Sequence, residues 1–431
     1  MYPSRTFAFS CLALLVLVAL SGQAFSSTVI VGTCKSGVHF TTIGAAVAAA
    51  PTGATVDVCP GIYPEQVMIN KNLTLIGILP VGSTSDSAVV VSPAAGLATN
   101  GSDIFGNPVA AQIFVQNADV TVSHITVDGS NNQLPDCSVD PIGIYYQNAS
   151  GKITDSAVRD VLMDPALQGC QVGLAINVES NSGAPAITIS DNSVRNYDKN
   201  GITVSGPDTG SPGPVATVSA NTVIGLGATS ATAQNGIQIG YGATGSVSTN
   251  YVVDNIYINP PNCSLCYGSS GILIYGSAGI TVTNNTVESA QLAIVPATES
   301  ATLTADGTVI RSNHVGGTQN YDALDLCSDH NTAESNTIYG SAQSAIHLDD
   351  SCSPSTGSNN TVTSNTINEA CAGILLGTGT NTNISPNTFM NVTNTTLAGD
   401  TCSPLDQVRS DTREGSRGQH QSLRPSPYKR K

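Results

Sequence analysis

The sequence predicts an all-β chain, a single-stranded right-handed parallel β-helix with a short capping α-helix at its N-terminal end. Three observations lead there. One submotif places Asn just before a β-branched residue: Asp191-Asn-Ser-Val194, Asn221-Thr-Val223, Asn284-Asn-Thr-Val287, Ser335-Asn-Thr-Ile338 and Ser364-Asn-Thr-Ile367. A second alternates with it: Gly201-Ile-Thr-Val204, Gly236-Ile-Gln-Ile239, Gly271-Ile-Leu-Ile274, Ala323-Leu-Asp-Leu326, Ala345-Ile-His-Leu348 and Gly373-Ile-Leu-Leu376. From Gly201 the second submotif returns after 35, 35, 22, 30, 22 and 28 residues, counting Ser289-Ala-Gln-Leu-Ala-Ile294 among its copies.

Each submotif is a strand too short to stand alone, with alternate apolar residues facing inward. Gly and Asn permit the sharp bends between strands. Asn at the same bend of successive coils can stack its side-chain amide on the next, and stacking supplies the core that one coil lacks. A β-sandwich is the competing reading, but hairpin turns are not prominent and a sandwich does not require Asn in register. Nine or ten coils at about 4.8 Å each give a rod on the order of 45–50 Å long.

The elements follow in order. Residues 1–26 read as a signal peptide: Arg5, an apolar stretch from Phe7 to Leu20, then small residues at cleavage spacing. Phe40 to Ala50 reads as the capping helix, with Ile43, Val47 and Ala50 on one face and Pro51 as its stop. Thr55 to Glu65 starts the first coil and Leu73 to Gly77 the second. The coil domain extends over 27–402. Residues 403–431 lose both repeat and acidity and read as a disordered basic tail.

Ten cysteines remain after the signal, an even number that suits disulfides in a secreted or periplasmic protein. A coil that contacts only its neighbours favours sequential pairing: Cys34–Cys59, Cys137–Cys170, Cys263–Cys266, Cys327–Cys352 and Cys371–Cys402. Residues 27–402 hold seven basic and 27 acidic residues, a net charge of −20. Such a body repels nucleic acid and anionic membranes. No later segment is apolar enough for membrane insertion, and the chain is expected to be a monomer.

Phe40-Thr-Thr-Ile43, Ala50-Pro51, Pro60-Gly61-x-Tyr63-x-Glu65 and Asn72-Leu-Thr-Leu-x-Gly77 resemble the opening of pectin methylesterases and other pectin-lyase-like β-helix proteins. The later coils resemble the general parallel β-helix repeat family, which includes periplasmic copper-site maturation factors. The resemblance covers about residues 30–400 and implies the fold; the same fold hosts lyases, hydrolases, esterases, epimerases, adhesins and binding proteins. The esterases' catalytic Gln, Asp and Arg motifs do not follow the opening. Asn320-Tyr-Asp-Ala-Leu-Asp325 is similar to the Asn-Thr-Asp segment of polygalacturonases, but their paired-Asp and Gly-His-Gly segments do not follow in order.

The outward positions of the second submotif run Thr203, Gln238, Leu273, Val295, Asp325, His347, Leu375. Asp325 and His347 therefore fall on adjacent coils, with Asp322, Asp329, His330, Asp349 and Asp350 at the nearby bends. Carboxylates and an imidazole on one groove wall suit acid–base work on a glycosidic bond, so Asp325, His347 and Asp349 are the candidate catalytic residues. Asp322 and Asp350 are candidate ligands for calcium, which would also let an anionic glycan approach. Arg195, Tyr197 and Lys199, with Gln238, are candidate substrate contacts, a cation there neutralising a uronate. The alternative for each group is ordinary polar surface, and for Arg195–Lys199 a solvated turn. His124 reads as an outward strand residue. The function expected is binding or modification of a polysaccharide, pectin-like and uronate-containing, on the long face; an enzyme would be a lyase, glycoside hydrolase or esterase. The alternatives are a non-catalytic adhesin-like protein and a metal-handling factor.

Overall fold

The computed structural model describes residues 27–83, 85–167, 169–259, 267–318 and 321–398, together with the pair Arg424–Pro425. Residues 1–26, which the sequence reads as a signal peptide, together with Cys263, Cys266, Asn320, Cys402 and nearly all of residues 403–431, lie outside these residues.

The strands form three stacks. The first begins Thr28–Val31, Ala54–Val58, Leu73–Gly77, Asp119–Ser123 and ends at Thr361–Thr363, every neighbour parallel. The second runs through Thr126–Asp128, Ala157–Val161 and Ser193–Tyr197. The third runs through Asp140–Gln147, Leu174–Glu179, Asn200–Ser205, Asn235–Gly240 and Ser270–Tyr275. In the last coils the second and third stacks merge into single strands, as in Thr337–Leu348 and Thr366–Leu376. A β-sandwich is excluded because the stacked pairs are parallel; Gly101–Ser102 against Pro108–Val109 is an antiparallel exception at a loop.

Alternation drives this arrangement. Val56, Leu75, Val122, Ile153, Ile189, Val218, Val247, Val282, Ile310, Ala333 and Val362 pair one above the next, all fully buried. Each large member contributes roughly 1.5–3 kcal/mol by leaving water. They belong to one continuous core from Val31 to Ile374. The first stack contains twelve coil strands besides the added His39–Phe40, more than the nine or ten expected. The extra coils come from the N-terminal part, where repeat spacing is irregular. The rod begins with Thr28–Val31, one coil before the expected start at Thr55.

At the bend between the first and second stacks, Asn192, Asn221, Asn250, Asn285, Asn313, Asn336, Asn365 and Asn387 form a ladder. Each amide Nδ2 donates to the next Asn Oδ1 at 2.9–3.0 Å. The residue before each ladder Asn from Asn192 to Asn365 turns the chain with φ of 55–61°, a left-handed conformation that costs most side chains energy. His124 sits at such a bend, with φ 56°, and is not a strand residue. A Cβ on Gly77 would lie 1.9 Å from the His124 carbonyl, so that close approach needs glycine.

The cap is a helix at Ile43–Ala49, with Thr42 Oγ1 accepting from Ala45 N at 3.2 Å and Ile43, Ala46 and Val47 buried. Glu65 accepts from the Ile43 and Gly44 amides at 2.7 and 2.8 Å, holding negative charge at the helix N-terminus. Tyr63 donates to the Cys59 carbonyl at 2.7 Å. The Pro-Gly-x-Tyr-x-Glu motif is thus the joint between cap and rod. Disulfides Cys34–Cys59, Cys137–Cys170 and Cys327–Cys352 form as the spacing suggested, and Cys371 is also disulfide-bonded.

Candidate functional site

The third stack's outward positions register one above the next: Phe114, Tyr145, Asn177, Thr203, Gln238, Leu273, Val295, then Asp325 beside His347 and Leu375. The expected pairing of Asp325 with His347 is therefore real. The expected solvent exposure is not. Asp322 and Asp325 are each 3% exposed and His347 7%. The outward positions on this side are covered, apolar members included.

His347 Nδ1 lies 3.2 Å from Asp322 Oδ2 and 3.7 Å from Asp325 Oδ1. Asp322 Oδ1 accepts from Ser344 N at 3.0 Å and from the Ser344 hydroxyl. Asp325 Oδ1 has no hydrogen-bond partner. Asp349 is buried nearby and its oxygens accept from Ser351 N and Oγ, both at 2.8 Å. Burial would lower the imidazole's affinity for its proton, but Asp322 first, then Asp325 and Asp349, outweigh it and raise its pKa to about 10. Burial foremost, then the Asp349 charge, raises the Asp325 carboxyl well above the usual range, with His347 opposing. Close carboxyl groups cannot all ionise in a low-dielectric site. The imidazole therefore keeps its proton at neutral pH, and the Asp325 carboxyl is shifted toward its protonated form. Chemically that provides a buried acid beside carboxylate held by amide and hydroxyl donors.

Asp350 does not join this group. Its Oδ2 accepts from Thr378 N at 2.8 Å and Thr378 Oγ1 at 2.5 Å, bonds that lower its pKa while they fasten the next bend. Calcium therefore fits poorly: it takes six to eight oxygen ligands, whereas donor atoms meeting within 4.8 Å come from Asp322, Asp325 and His347. Asp329 is spent on the Thr356 and Ser358 amides, at 3.0 and 2.8 Å.

The Arg195–Lys199 segment is not a solvated turn, and its candidate contacts do not share one exposed face. Arg195 is exposed on the second stack, whereas Tyr197 points inward and donates to Asn255 Oδ1 at 2.7 Å. Lys199 is fully buried, donates to the Ala233 carbonyl at 2.6 Å, and has its pKa lowered to about 7 by burial. Gln238 is buried on the third stack, where its Oε1 accepts from Asn200 Nδ2 at 3.1 Å. Regular alternation would put Arg195, Tyr197 and Lys199 on one side; the left-handed turn at Asn196, φ 52°, breaks it and sends Tyr197 inward, and the strand ends before Lys199.

The sequence reading missed Glu179. It is fully buried two residues beyond Asn177, in register with Gln147 and Ser205. Burial, then the Asp103 charge, raises its pKa to about 7 against the hydrogen bonds from Tyr145 Oη and Ile104 N. The alternation Leu174-Ala-Ile-Asn-Val-Glu179 carries the signal, one coil before the point where the outward column was followed.

Among solved structures, the chain is similar to the Agl-KA catalytic domain, with a TM-score of 0.53 and 14% identity, covering 83% of this chain and 63% of that one. It is also similar to the GH136 lacto-N-biosidase from Eubacterium ramulus, with a TM-score of 0.51 and 10% identity, covering 87% of this chain and 67% of that one. The mannuronan C-5 epimerase AlgE4 A-module from Azotobacter vinelandii gives a TM-score of 0.49 and 12% identity, covering 81% and 91%. Identity this low speaks to the fold alone. No curated protein matches the sequence. The sequence matches the family described as the right handed beta helix region over residues 174–389, half of the chain, and with the parallel coils seen above the chain belongs to that family.

Proposed function

We propose that this is an extracytoplasmic carbohydrate-active β-helix protein, with Asp322, Asp325 and His347 as its proton-handling group at a glycosidic bond. One observation carries the reading: register sets an imidazole between two buried carboxyl groups, 3.2 and 3.7 Å from its Nδ1. In this role the Asp325 carboxyl, kept protonated, donates to the leaving glycosidic oxygen. Asp322, held by Ser344, faces the positive charge that develops at the sugar, and a water molecule forms the new bond at the anomeric carbon, its proton returning to the Asp325 carboxylate. His347 orients the two carboxyl groups, and Asp349 helps to hold the proton on Asp325. His347 is the most exposed of the three, so the bond is approached from the imidazole's side. The disulfides support an oxidising compartment. The lacto-N-biosidase supports the reading in one respect: a glycosidase is built on this fold.

The test is a reducing-end and unsaturated-product screen over neutral and uronate-containing glycans, with wild type, Asp325→Asn and His347→Gln. New reducing ends with wild type, reduced at least 100-fold by Asp325→Asn in a folded protein, are expected. Unsaturated products would replace hydrolysis with elimination. Equal turnover by wild type and both variants would remove the cluster from the chemistry.

A further inference from the structure

The buried cluster around His347 is also a set of metal donors, and its dimensions select the ion. Donor atoms of Asp322, Asp325 and His347 lie within 4.8 Å of one another. The imidazole Nδ1 stands 3.2 Å from Asp322 Oδ2 and 3.7 Å from Asp325 Oδ1. Two ligand atoms on a tetrahedral zinc ion, bonded at about 2.0–2.2 Å, are about 3.3–3.6 Å apart. The two observed spacings bracket that edge, so an ion fits between the three side chains with little movement. Two of the donors are already aimed. Ser344 holds Asp322 Oδ1 through its amide at 3.0 Å, which turns Oδ2 toward the imidazole. Asp325 is 3% exposed and its Oδ1 has no hydrogen-bond partner; a buried carboxyl oxygen in that state costs free energy that a cation would recover. Magnesium and calcium need six or more ligands, mostly oxygen, which this covered set does not supply. Copper(I) prefers sulfur, and the nearby Cys327 is bonded to Cys352. Two carboxylates and one imidazole, with a fourth position left to water, suit zinc. His347, 7% exposed, marks the side of entry.

We propose that Asp322, Asp325 and His347 form a zinc site whose occupation switches off the acid–base group. The site stands without the glycosidic reading, whereas the switching rests on it. The entering ion displaces the imidazole proton to water and engages both carboxylates, so Asp325 then has no proton to give. Calorimetric titration of the metal-free full chain with Zn2+, Ca2+ and Mg2+ tests the site, using wild type, Asp325→Asn, His347→Gln and Asp350→Asn. Zinc is expected to bind wild type and Asp350→Asn alike, one ion per chain, and at least 100-fold more weakly to folded Asp325→Asn and His347→Gln. Calcium and magnesium are expected to bind wild type at least 100-fold more weakly than zinc. Should one cluster variant fail to fold, the other decides. No zinc binding, zinc binding undiminished in the cluster variants, or calcium binding equal to zinc would overturn the site. On any glycan that the chain cleaves, zinc at saturation is expected to lower turnover at least 10-fold, with recovery on chelation; unchanged turnover would overturn the switching. Cluster-dependent zinc binding with no glycan cleaved leaves the site standing and removes the acid–base reading.

Discussion

Truncating one rung in the middle of the asparagine ladder, Asn250→Ala, gives a worked test of what holds the coils in register. Asn250 Oδ1 accepts from the backbone and side-chain nitrogens of Asn221, at 3.0 and 2.9 Å, and its Nδ2 donates to the Val218 carbonyl and Asn285 Oδ1, both at 3.0 Å. Alanine removes all four bonds. The two acceptors lose least, because Asn285 Oδ1 keeps the Asn250 amide at 3.0 Å. Two Asn221 N–H groups are left buried and unpaired, the backbone one and one of the two on Nδ2, whose other still donates to the Ile189 carbonyl at 2.9 Å. At about 1–3 kcal/mol for each stranded group, the loss is about 2–6 kcal/mol. With an unfolding entropy near 2.1 cal/mol/K per residue over roughly 370 ordered residues, that lowers Tm by about 3–8 °C. Differential scanning calorimetry on the disulfide-intact protein reads it. Asn387→Ala is the control: at the partly exposed end of the ladder, water can reach the donors of Asn365, and the expected drop is at most half as large. Equal shifts for both, or less than about 1 °C for Asn250→Ala, would refute the claim that stranded buried donors set the cost.

Three further outcomes follow from named residues. Ala220 holds φ at 56° without a side-chain bond to compensate, so Ala220→Asn should stabilise the fold by about 0.5–1 kcal/mol, seen as a higher Tm. Glu179 has a folded pKa of about 7, above its ordinary 4.5; the folded state then binds the extra proton, and stability falls as pH rises from 4.5 through 7. Glu179→Gln should therefore match wild type near pH 4 and exceed it at pH 8, by on the order of 3 kcal/mol, and a constant difference between the two pH values would contradict this. Asp325, also raised, should behave in the same direction: Asp325→Asn is expected to raise Tm at pH 7 while abolishing any glycan turnover, and a lower Tm would mean that the ionised carboxylate stabilises the fold.

Local pattern alone determined the coil. Period-two alternation, an Asn at one bend and a Gly or Ala before the inward pair are each visible over a few residues, and each has one physical cause. Gly201 and Gly236 show this: a Cβ at either would lie 2.7 or 2.6 Å from the carbonyl of the next coil's glycine. Because coils stack in fixed register, counting along the second submotif was enough to pair Asp325 with His347. What the sequence could not supply is depth. Outward from a strand was taken to mean facing solvent, yet Asp325, His347 and Gln238 are covered, and cover depends on loops whose paths no repeat encodes. The protonation of the cluster follows from that burial and was likewise out of reach. Tyr197 and Lys199, two residues apart, went to an inward strand position and a buried loop between stacks, because where a strand ends sets which way each side chain points. Asp350 was assigned to a metal site by proximity in sequence. It fastens a bend instead, because Thr378 on the next coil offers it two donors where Asp322 offers none.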